Sequence, residues 1–353
     1  MSEKKNQHYV PQFLLKLFSN SVNGKTIYIY NIKQNKLIKN GSIRDQCKKE
    51  YLYGKNLVIE DAFMNLEGSI ASIFSHLFLN IAELNKLSLE EDINIREFIL
   101  FQQLRTLGAK EEINQFTNEF AQIILKYHPQ LSMHRHKFKI TFENPVVENL
   151  KLAIDTLKYT LDLEIAILDA GQKEFAISDN PAFTINPFLN LRKYSGSGLG
   201  IGSVGIIILM PIHPKYCICL YDPLIYILQK KYHHFLSNED IDKVNSIILY
   251  YTNNNIFFKS EYMFEYLQNL QKKNSTFKER KPLNQEIKKV YENGKLLKNA
   301  TAFLMGKETL PFDSMLKSIP YTNSALDRPI SDNMDMNREY VKKIKKEDPN
   351  FQH

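Results

Sequence analysis

His8 is the first histidine of the sequence, and its side chain could transfer a proton or bind an anion. It precedes Pro11, which predicts a short helix up to about Phe18 because proline is tolerated as a first helical residue. With Gln12, His8 would flank the start of that helix, where free N–H groups and the helix dipole attract phosphate. His8 is therefore a candidate catalytic residue and Gln12 a candidate substrate-binding residue. The alternative is that His8 only caps the helix or fixes it to the body.

Two glutamates on one predicted helix form the second candidate group. Glu60 and Glu67 are seven residues apart, which places them on one helical face. They lie beside an apolar stripe that includes Phe63, where a carboxylate is costly unless it is paired. Glu67 could be a catalytic carboxylate or a metal ligand, and Arg105 on the next predicted helix could bind substrate. The alternative is a structural ion pair between Glu67 and Arg105 that joins the two helices.

The segment Ser178-Asp179-Asn180-Pro181 follows a strand-like stretch and is the third candidate. Loops at strand ends commonly carry functional residues. Asp179 could act as a general base or, together with Glu67, as a ligand of Mg²⁺ or Mn²⁺, and Asn180 could orient a substrate. The alternative is ordinary turn chemistry, since aspartate, asparagine and proline all favour turns.

The remaining motifs are weak or absent, which disfavours the familiar enzyme classes. His134 and His136 would share one face of a strand and could hold a metal together, but Arg135 and Lys137 beside them favour a solvated edge. The glycine-rich stretch 195–200 precedes a strand and lacks a Gly-Lys-Ser/Thr ending, so it predicts a flexible loop or lid. The sequence contains no serine-elbow, HExxH or paired CxxC motif.

Periodicity predicts the elements that must position these residues. Apolar residues recur at three- and four-residue steps between Val58 and Leu84, the spacing of an amphipathic helix. Ser88 and Glu91 form a capping box at the start of the next helix. Further helices are predicted at 112–127, 150–161 and 239–251, and strands at 25–30, 36–38, 137–142, 163–168, 174–178, 206–210, 216–221 and 256–259. This order predicts an α+β fold, with β-sheet elements flanking a central group of amphipathic helices.

Length and composition set further limits. The 353 residues, 43% of them hydrophobic, can form a substantial core. The sequence becomes rich in lysine beyond residue 271, which predicts a single α+β domain over 1–271 and an extension over 272–353 that is partly disordered or docked on the body. Three cysteines without paired spacing argue against disulfides and a zinc ribbon and favour a reducing compartment.

Charge and hydropathy limit the location and the partners. The N-terminus lacks the apolar region of a secretion signal, and no apolar run approaches the roughly 20 residues of a membrane-spanning helix. A cytoplasmic protein without a membrane partner is therefore expected. The net charge of +7 is compatible with nucleic acid as a partner, although solubility alone also explains it.

Several of these residue groups occur in the same order in the bacterial family known as domain of unknown function 4238, which the sequence resembles over roughly residues 7–265. The family's mark is an N-terminal HYVP motif, present here as His8, Tyr9, Val10 and Pro11. The matching groups also include Gln12, Phe13, Phe18, Tyr28, Tyr30, Tyr51, Glu60, Glu67, Gln102, Arg105, residues 178–181 and residues 210–214. The resemblance implies which polar residues to consider first, and it implies no particular activity, cofactor or substrate.

Two hypotheses remain open from the sequence. In the first, His8, Glu67, Arg105 and Asp179 converge in one pocket and act on a phosphate-containing substrate, with nucleic acid as the leading class and Mg²⁺ or Mn²⁺ held by the carboxylates. A toxin or phage-defence nuclease would suit the basic balance. In the second, the protein is a non-catalytic binding module, and the same residues form a buried polar network. Separations beyond about 15 Å, far outside hydrogen-bond reach, would count against the first hypothesis.

Overall fold

Strands surround a run of helices along the sequence, and the predicted α+β fold is confirmed. The computed structural model describes residues 5–81, 86–128, 130, 132–191, 198–228, 233–274, 284–292, 295–306, 310, 312–327 and 336–348. The elements in sequence order are β1 (Asn6–His8), α1 (Gln12–Lys16), β2 (Thr26–Asn31), β3 (Lys36–Ser42), β4 (Lys48–Glu50), α2 (Val58–Leu79), α3 (Leu89–Leu104), α4 (Leu107–Tyr127), α5 (Pro145–Leu157), β5 (Glu164–Asp169), β6 (Ile177–Ser178), β7 (Phe183–Ile185), α6 (Pro187–Leu191), β8 (Ile207–His213), β9 (Tyr216–Tyr221), β10 (His233–Phe235), α7 (Asn238–Tyr251), β11 (Asn255–Phe258), α8 (Met263–Lys273), β12 (Asn284–Glu292), β13 (Lys295–Gly306), α9 (Asn323–Leu326) and α10 (Glu339–Glu347).

A five-stranded sheet in the order β10-β5-β9-β8-β7 is buried on both faces. Along β8, Ile208 and Met210 belong to one hydrophobic cluster, whereas Ile207 and Leu209 belong to another. Helices α2, α3 and α5 contribute to the first cluster, and α7 contributes to the second. A sheet that is covered on both faces explains why residues 206–210 are continuously apolar instead of alternating.

A four-stranded antiparallel sheet in the order β3-β2-β11-β6 includes the hairpin predicted near the N-terminus. Helix α8 packs against this sheet through Met263 and Leu267. Strand β6 is two residues long, so most of the strand predicted at 174–178 is irregular, and Asp179 directly follows it. A separate pair, β1 with β4, places His8 opposite Lys48.

Capping side chains determine where two of the helices begin. The predicted capping box is present at α3, where Ser88 accepts from the N–H of Glu91 and the Glu91 carboxylate accepts from the N–H of Ser88. Thr106 caps α4 by accepting from the N–H of Ala109. Helix α4 therefore begins at Leu107, earlier than the predicted start at 112.

The strand predicted at 137–142 is wrong. Residues 138–142 pair with no strand among the described residues. Instead, polar side chains of α4 bond to this backbone, because Asn118 accepts from the N–H of Ile140 at 3.2 Å and Gln122 donates to the C=O of Phe138 at 2.7 Å. Residues 138–142 therefore run beside helix α4. The side chains of this helix bond to backbone groups that a neighbouring strand would otherwise pair with.

Described parts of the segment after residue 271 contact the body. Leu316 and Ile319 are buried in the second hydrophobic cluster. The guanidinium of buried Arg338 donates to both carboxylate oxygens of Asp162, at 2.7 and 3.0 Å. Strands β12 and β13 form an antiparallel pair of their own. The domain division at residue 271 stays a prediction.

Candidate functional site

His8 lies at the end of β1, and its side chain meets the first residue of α1. Its Nε2 atom is 3.1 Å from Nε2 of Gln12. Its Nδ1 atom is buried without a hydrogen bond of good geometry to the described residues, and the ring also interacts with the backbone of Gln46. Helix α1 has five residues and begins after Pro11. Because so short a helix has a small dipole, any anion binding here depends on side chains more than on the helix start.

The surroundings of His8 favour its neutral form. Burial lowers the pKa of His8 below its usual 6.5, and the positive charges of Lys48 and Arg105 act in the same direction. The backbone of Gln46 and the charge of Asp45 oppose this lowering without reversing it. In either neutral tautomer one ring nitrogen keeps a lone pair. The ring is therefore present in its basic, unprotonated form near neutral pH.

Arg105 is fully buried just after α3. Its Nη2 atom donates to Oε1 of Glu67 at 2.8 Å, and its guanidinium carbon lies 4.4 Å from the ring centre of Phe63. With the amide oxygen of Gln102 turned toward it, Arg105 also donates to that oxygen, from Nε at 2.9 Å and from Nη2. Its Nη1 atom is buried without a hydrogen-bond partner among the described residues. One donor of a buried cation is therefore unused, which is energetically costly.

Tyr53 connects His8 with Arg105. Its hydroxyl donates to the backbone carbonyl oxygen of His8 at 2.9 Å, and its N–H donates to the side chain of Gln7 at 2.7 Å. Burial raises the pKa of Tyr53, while the positive charge of Arg105 acts to lower it. The name His8–Arg105 cluster is used below for His8, Gln12, Tyr53, Glu67 and Arg105.

Asp179 lies in the turn after β6, and its carboxylate accepts three backbone hydrogen bonds. The donors are the N–H groups of Asn253, Asn254 and Asn255, at 2.9, 2.8 and 3.1 Å. Burial raises the pKa of Asp179, and the three N–H donors act to lower it. The side chain thus holds the connection between α7 and β11 in place. Its predicted catalytic role stays a prediction.

Asn180 fixes the same turn to the end of α7. Its Nδ2 atom donates to the C=O of Tyr251 at 2.7 Å, and the Ser178 hydroxyl accepts from the N–H of Asn180 at 3.1 Å. Its Oδ1 atom is buried without a partner in the described part of the protein. Asn180 also lines a small cavity of about 40 Å³ together with Thr106 and Thr184. That volume is too small for a nucleotide, since ligand pockets typically measure a few hundred Å³.

The structure joins four of the predicted site residues directly and places the other two in a nearby turn. His8 contacts Gln12, and Arg105 contacts Glu67, with Tyr53 between these pairs. Asp179 and Asn180 hydrogen-bond to other partners. The charge of Asp179 nevertheless contributes to raising the pKa of both Tyr9 and Cys47, for which burial is the main cause. The turn is therefore close to the HYVP segment without joining the His8–Arg105 cluster.

The described residues do not fit a Mg²⁺ or Mn²⁺ ion shared by Glu67 and Asp179. Glu67 is paired with Arg105, and both oxygens of Asp179 accept backbone hydrogen bonds. No group of three or more His, Cys, Asp or Glu side chains in the described ranges could hold a metal ion. His134 and His136 lie exposed on a 3-10 helix, Ser132–Lys137, so their predicted place on a strand face is wrong.

Two residues near the predicted site were missed from the sequence. Tyr53 gave no signal, because it lies in a turn without periodicity, although Gly54 beside it has a positive φ of 96°. Gly108 lies in the first turn of α4, where an added Cβ would be 2.4 Å from Nδ2 of Asn253 and 2.8 Å from Nδ2 of Asn180. A glycine one residue after a helix start could have indicated such a close approach. Residues 195–197 of the glycine-rich stretch 195–200 lie outside the described residues, and residues 198–200 form neither helix nor strand.

Fold and site together define an α+β protein whose N-terminal HYVP segment adjoins a buried arginine. The protein belongs to the family described as protein of unknown function (DUF4238), whose model matches residues 6–262. The resemblance found from the sequence is thereby confirmed. No curated protein and no solved structure matches the sequence. In the part of the protein that the structure describes, none of the helices combines the length and the apolar character needed to cross a bilayer.

Proposed function

We propose that this protein is an enzyme that cleaves phosphate esters in nucleic acid and that the His8–Arg105 cluster binds the phosphate. The observation that carries the proposal is that two buried atoms, Nη1 of Arg105 and Nδ1 of His8, lack a hydrogen bond of good geometry to any described residue. The positive charge of Arg105 contributes to lowering the pKa of His8, so the two side chains interact electrostatically. Buried polar groups are nearly always hydrogen-bonded, and a catalytic or ligand-binding role is one explanation for an exception.

Arg105 would bind the phosphate, and Glu67 would orient the guanidinium. A guanidinium is always charged and matches phosphate oxygens with two parallel N–H donors. Glu67 occupies Nη2 and keeps 23% of its side chain exposed, whereas the Arg105 side chain is 1% exposed. Because Arg105 is buried, a phosphate would reach its Nη1 atom only after neighbouring side chains move apart.

His8 would transfer protons. As a neutral base it takes a proton from water, whose oxygen then forms a bond to phosphorus while the bond to the leaving oxygen breaks. The leaving oxygen departs with the electron pair and takes a proton from solvent, and the imidazolium gives its proton to solvent, which returns His8 to its neutral form. A lowered pKa favours the neutral starting state at pH 7.

The charge distribution supports a polyanionic substrate. The first 55 residues contain eleven lysines and arginines against three acidic residues, whereas the rest of the sequence has almost equal numbers. The net positive charge is therefore concentrated in the segment that carries the HYVP motif. A local positive field increases the encounter rate with a polyanion and makes it sensitive to salt.

Cleavage of labelled RNA and DNA by the purified protein tests the proposal, with and without Mg²⁺ or Mn²⁺ and with a chelator. His8→Gln should reduce the cleavage rate at least about 100-fold, the typical contribution of general acid–base catalysis. His134→Gln is the matched control, because His134 is exposed outside the cluster. If the wild-type protein cleaves neither polymer under any of these conditions, the enzyme proposal for nucleic acid fails.

A toxin or phage-defence role would be the biological setting of such a nuclease. Expression of the wild-type protein in a bacterial host should then slow growth or reduce phage plating, and His8→Gln should abolish the effect at equal protein level. Equal effects of the wild-type protein and His8→Gln would separate the biological role from this cluster.

A second candidate is a non-catalytic binding module, and the environment of Asp179 favours it. All the backbone donors around that carboxylate belong to one connection, which is a structural use. In this case His8→Gln and Asp179→Asn lower the melting temperature, and no cleavage is found. Retained melting temperature with lost cleavage in His8→Gln would instead support the enzyme.

A further inference from the structure

One end of the five-stranded sheet carries aromatic side chains that are aligned by strand register. Tyr216 of β9 pairs with Asp169 of β5 on one side and with His213 of β8 on the other. Asp169 in turn pairs with Phe235 of β10. Residues that are paired across neighbouring strands point to the same face of a sheet. Four adjacent strands therefore present their side chains side by side at this end.

The rings in this region form a continuous row. Phe78 near the end of α2 lies 5.2 Å from the ring of His213 and is stacked on Tyr216 at 5.8 Å. Tyr216 lies 6.4 Å from His233, and His233 lies 4.8 Å from Phe235. We use the name aromatic row for these five side chains. Phe235 at its end is 54% exposed.

A buried carboxylate fixes the outer part of the aromatic row. Asp169 is 4% exposed, and its Oδ2 atom is 2.8 Å from Nε2 of His233. Its Oδ1 atom accepts from the N–H of Gly171 at 2.7 Å. The contact with Asp169 holds the imidazole of His233 beside Phe235. It involves Nε2 of His233 and not Nδ1. A ring that is held in this way loses little entropy when a flat ligand stacks on it.

Two lysines add positive charge beside the aromatic row. Lys215 lies in the turn between β8 and β9, and Lys259 directly follows β11. Both lie near His213, because both contribute to lowering its pKa, for which burial is the main cause. Both are exposed, and neither forms an ion pair with another of the described residues. Their charges are thus available to an anion.

We propose that the aromatic row binds single-stranded nucleic acid, with bases stacked on Phe235 and His233 and phosphates paired with Lys215 and Lys259. Proteins that bind single strands combine aromatic stacking platforms with positive charge along the backbone path. A duplex would not fit this mode, because its bases are already stacked and paired. The aromatic row therefore distinguishes single strands from duplexes.

Helix α2 connects this surface with the His8–Arg105 cluster. Glu67 and Phe78 are eleven residues apart, close to three helical turns, so they lie on the same side of α2 about 16 Å apart. A strand held by the aromatic row could therefore extend along α2 toward Arg105. Nucleic acid as the ligand class rests on the proposed function, but binding here requires no cleavage.

Fluorescence anisotropy of labelled single-stranded oligonucleotides with the full-length protein tests this inference. The His8→Gln form is used beside the wild-type protein so that cleavage does not alter the probe. Phe235→Ala should weaken binding about tenfold, the loss expected for one stacked base. Lys215→Ala should lower the salt dependence of binding by about one phosphate contact. Phe142→Ala is the control, because Phe142 is an exposed phenylalanine outside the aromatic row.

The outcomes separate this inference from the proposed function. Binding of single strands that Phe235→Ala weakens and Phe142→Ala does not weaken supports the inference, whether or not the wild-type protein cleaves. Equal binding by these two variants, equal affinity for single strands and a matched duplex, or no binding by the wild-type protein overturns it. If the wild-type protein cleaves and Phe235→Ala cleaves equally fast at low substrate concentration, the proposed function stands. In that case the aromatic row has no part in cleavage.

Discussion

Arg105 donates to Glu67 at 2.8 Å, and this bond joins the end of α3 to the middle of α2. The arginine is buried, while the glutamate keeps part of its surface in solvent. Removing one partner of a buried pair leaves an uncompensated charge, which costs several kcal/mol when both partners are buried. Solvent near Glu67 reduces that cost. The bond therefore contributes to stability, by less than a fully buried pair would.

Glu67→Ala should lower the free energy of unfolding by about 2 kcal/mol, because Arg105 then lacks its carboxylate. Chemical denaturation followed by circular dichroism measures the change. Asn65→Ala, at an exposed position of the same helix, controls for the effect of alanine in α2. If both variants unfold at the same denaturant concentration, the ion pair makes no net contribution.

Two glycines in helices should respond to alanine with opposite signs. An added Cβ at Gly68 of α2 meets nothing within 4 Å, so Gly68→Ala should stabilise the protein by about 1 kcal/mol through helix propensity. At Gly108 the added Cβ would overlap Asn253 and Asn180, and Gly108→Ala should destabilise it by about 2 kcal/mol. Thermal unfolding of the two variants checks both signs, and stabilisation by Gly108→Ala would contradict the close packing.

Asp179→Asn should destabilise the connection between α7 and β11. The substitution removes a carboxylate that accepts three backbone hydrogen bonds, and the amide nitrogen would face donors that it cannot satisfy. We expect a loss of about 3 kcal/mol in the free energy of unfolding. Asp155→Asn, at an exposed position of α5, is the matched control. Unchanged stability with lost cleavage would show that Asp179 acts in catalysis instead.

Sequence patterns predicted the long elements well, because burial of one face makes apolar residues recur at regular steps along the sequence. Helix α2 starts at the predicted Val58, and Ser88 caps α3 as its spacing with Glu91 indicated. The segment 138–142 was predicted wrongly. Alternation shows which residues are apolar, but it does not show which groups will hydrogen-bond to the backbone N–H and C=O. Here the side chains of Asn118 and Gln122 satisfy it.

The candidate site was only partly predictable for a similar reason. Residue types and order indicated that Glu67 and Arg105 would pair, and the structure joins them. Tyr53 could not be found, because its place between His8 and Arg105 depends on a turn of irregular backbone. Asp179 and Asn180 were identified as polar residues of a turn, but their partners are about 70 residues later in the sequence, at 251–255. Single-sequence spacing contains no information on such long-range partners.

His213 should make the stability depend on pH between neutral and acid conditions. Burial, with Lys259 and Lys215, lowers its pKa from 6.5 to about 4. Between those pH values the unfolded protein binds a proton that the folded protein does not, so the free energy of unfolding falls as pH falls. The contribution of His213 is present above pH 6.5, and its loss amounts to about 3 kcal/mol near pH 4.

Urea unfolding at pH 7.5, 6.5, 5.5 and 4.5, about one unit apart across the titration range of an ordinary histidine, measures this dependence. His213→Gln should flatten the pH profile relative to the wild-type protein. His134→Gln should leave the profile unchanged, because His134 is exposed on its 3-10 helix. A profile of His213→Gln that runs parallel to that of the wild-type protein would contradict the lowered pKa.

Arg338 should determine how firmly the segment beyond residue 336 is held to the body. Besides Asp162, its guanidinium donates to the C=O groups of Ile201 and Ser203, at 2.9 and 3.0 Å, and to that of Tyr159. Arg338→Lys keeps the charge but cannot reproduce a planar set of donors to several acceptors. We therefore expect a loss of about 2 kcal/mol for Arg338→Lys and about 3 kcal/mol for Arg338→Ala.

Limited trypsin digestion distinguishes loss of this attachment from global destabilisation. If Arg338 mainly anchors the C-terminal segment, Arg338→Lys, which keeps a cleavable basic residue at 338, should speed cleavage at the lysines of α10 while the remaining body stays resistant. Arg135→Lys, at an exposed position, is the control for changing a trypsin site. Uniform cleavage of the whole protein in Arg338→Lys would mean that the segment is an integral part of one cooperative unit, because the body then unfolds together with it.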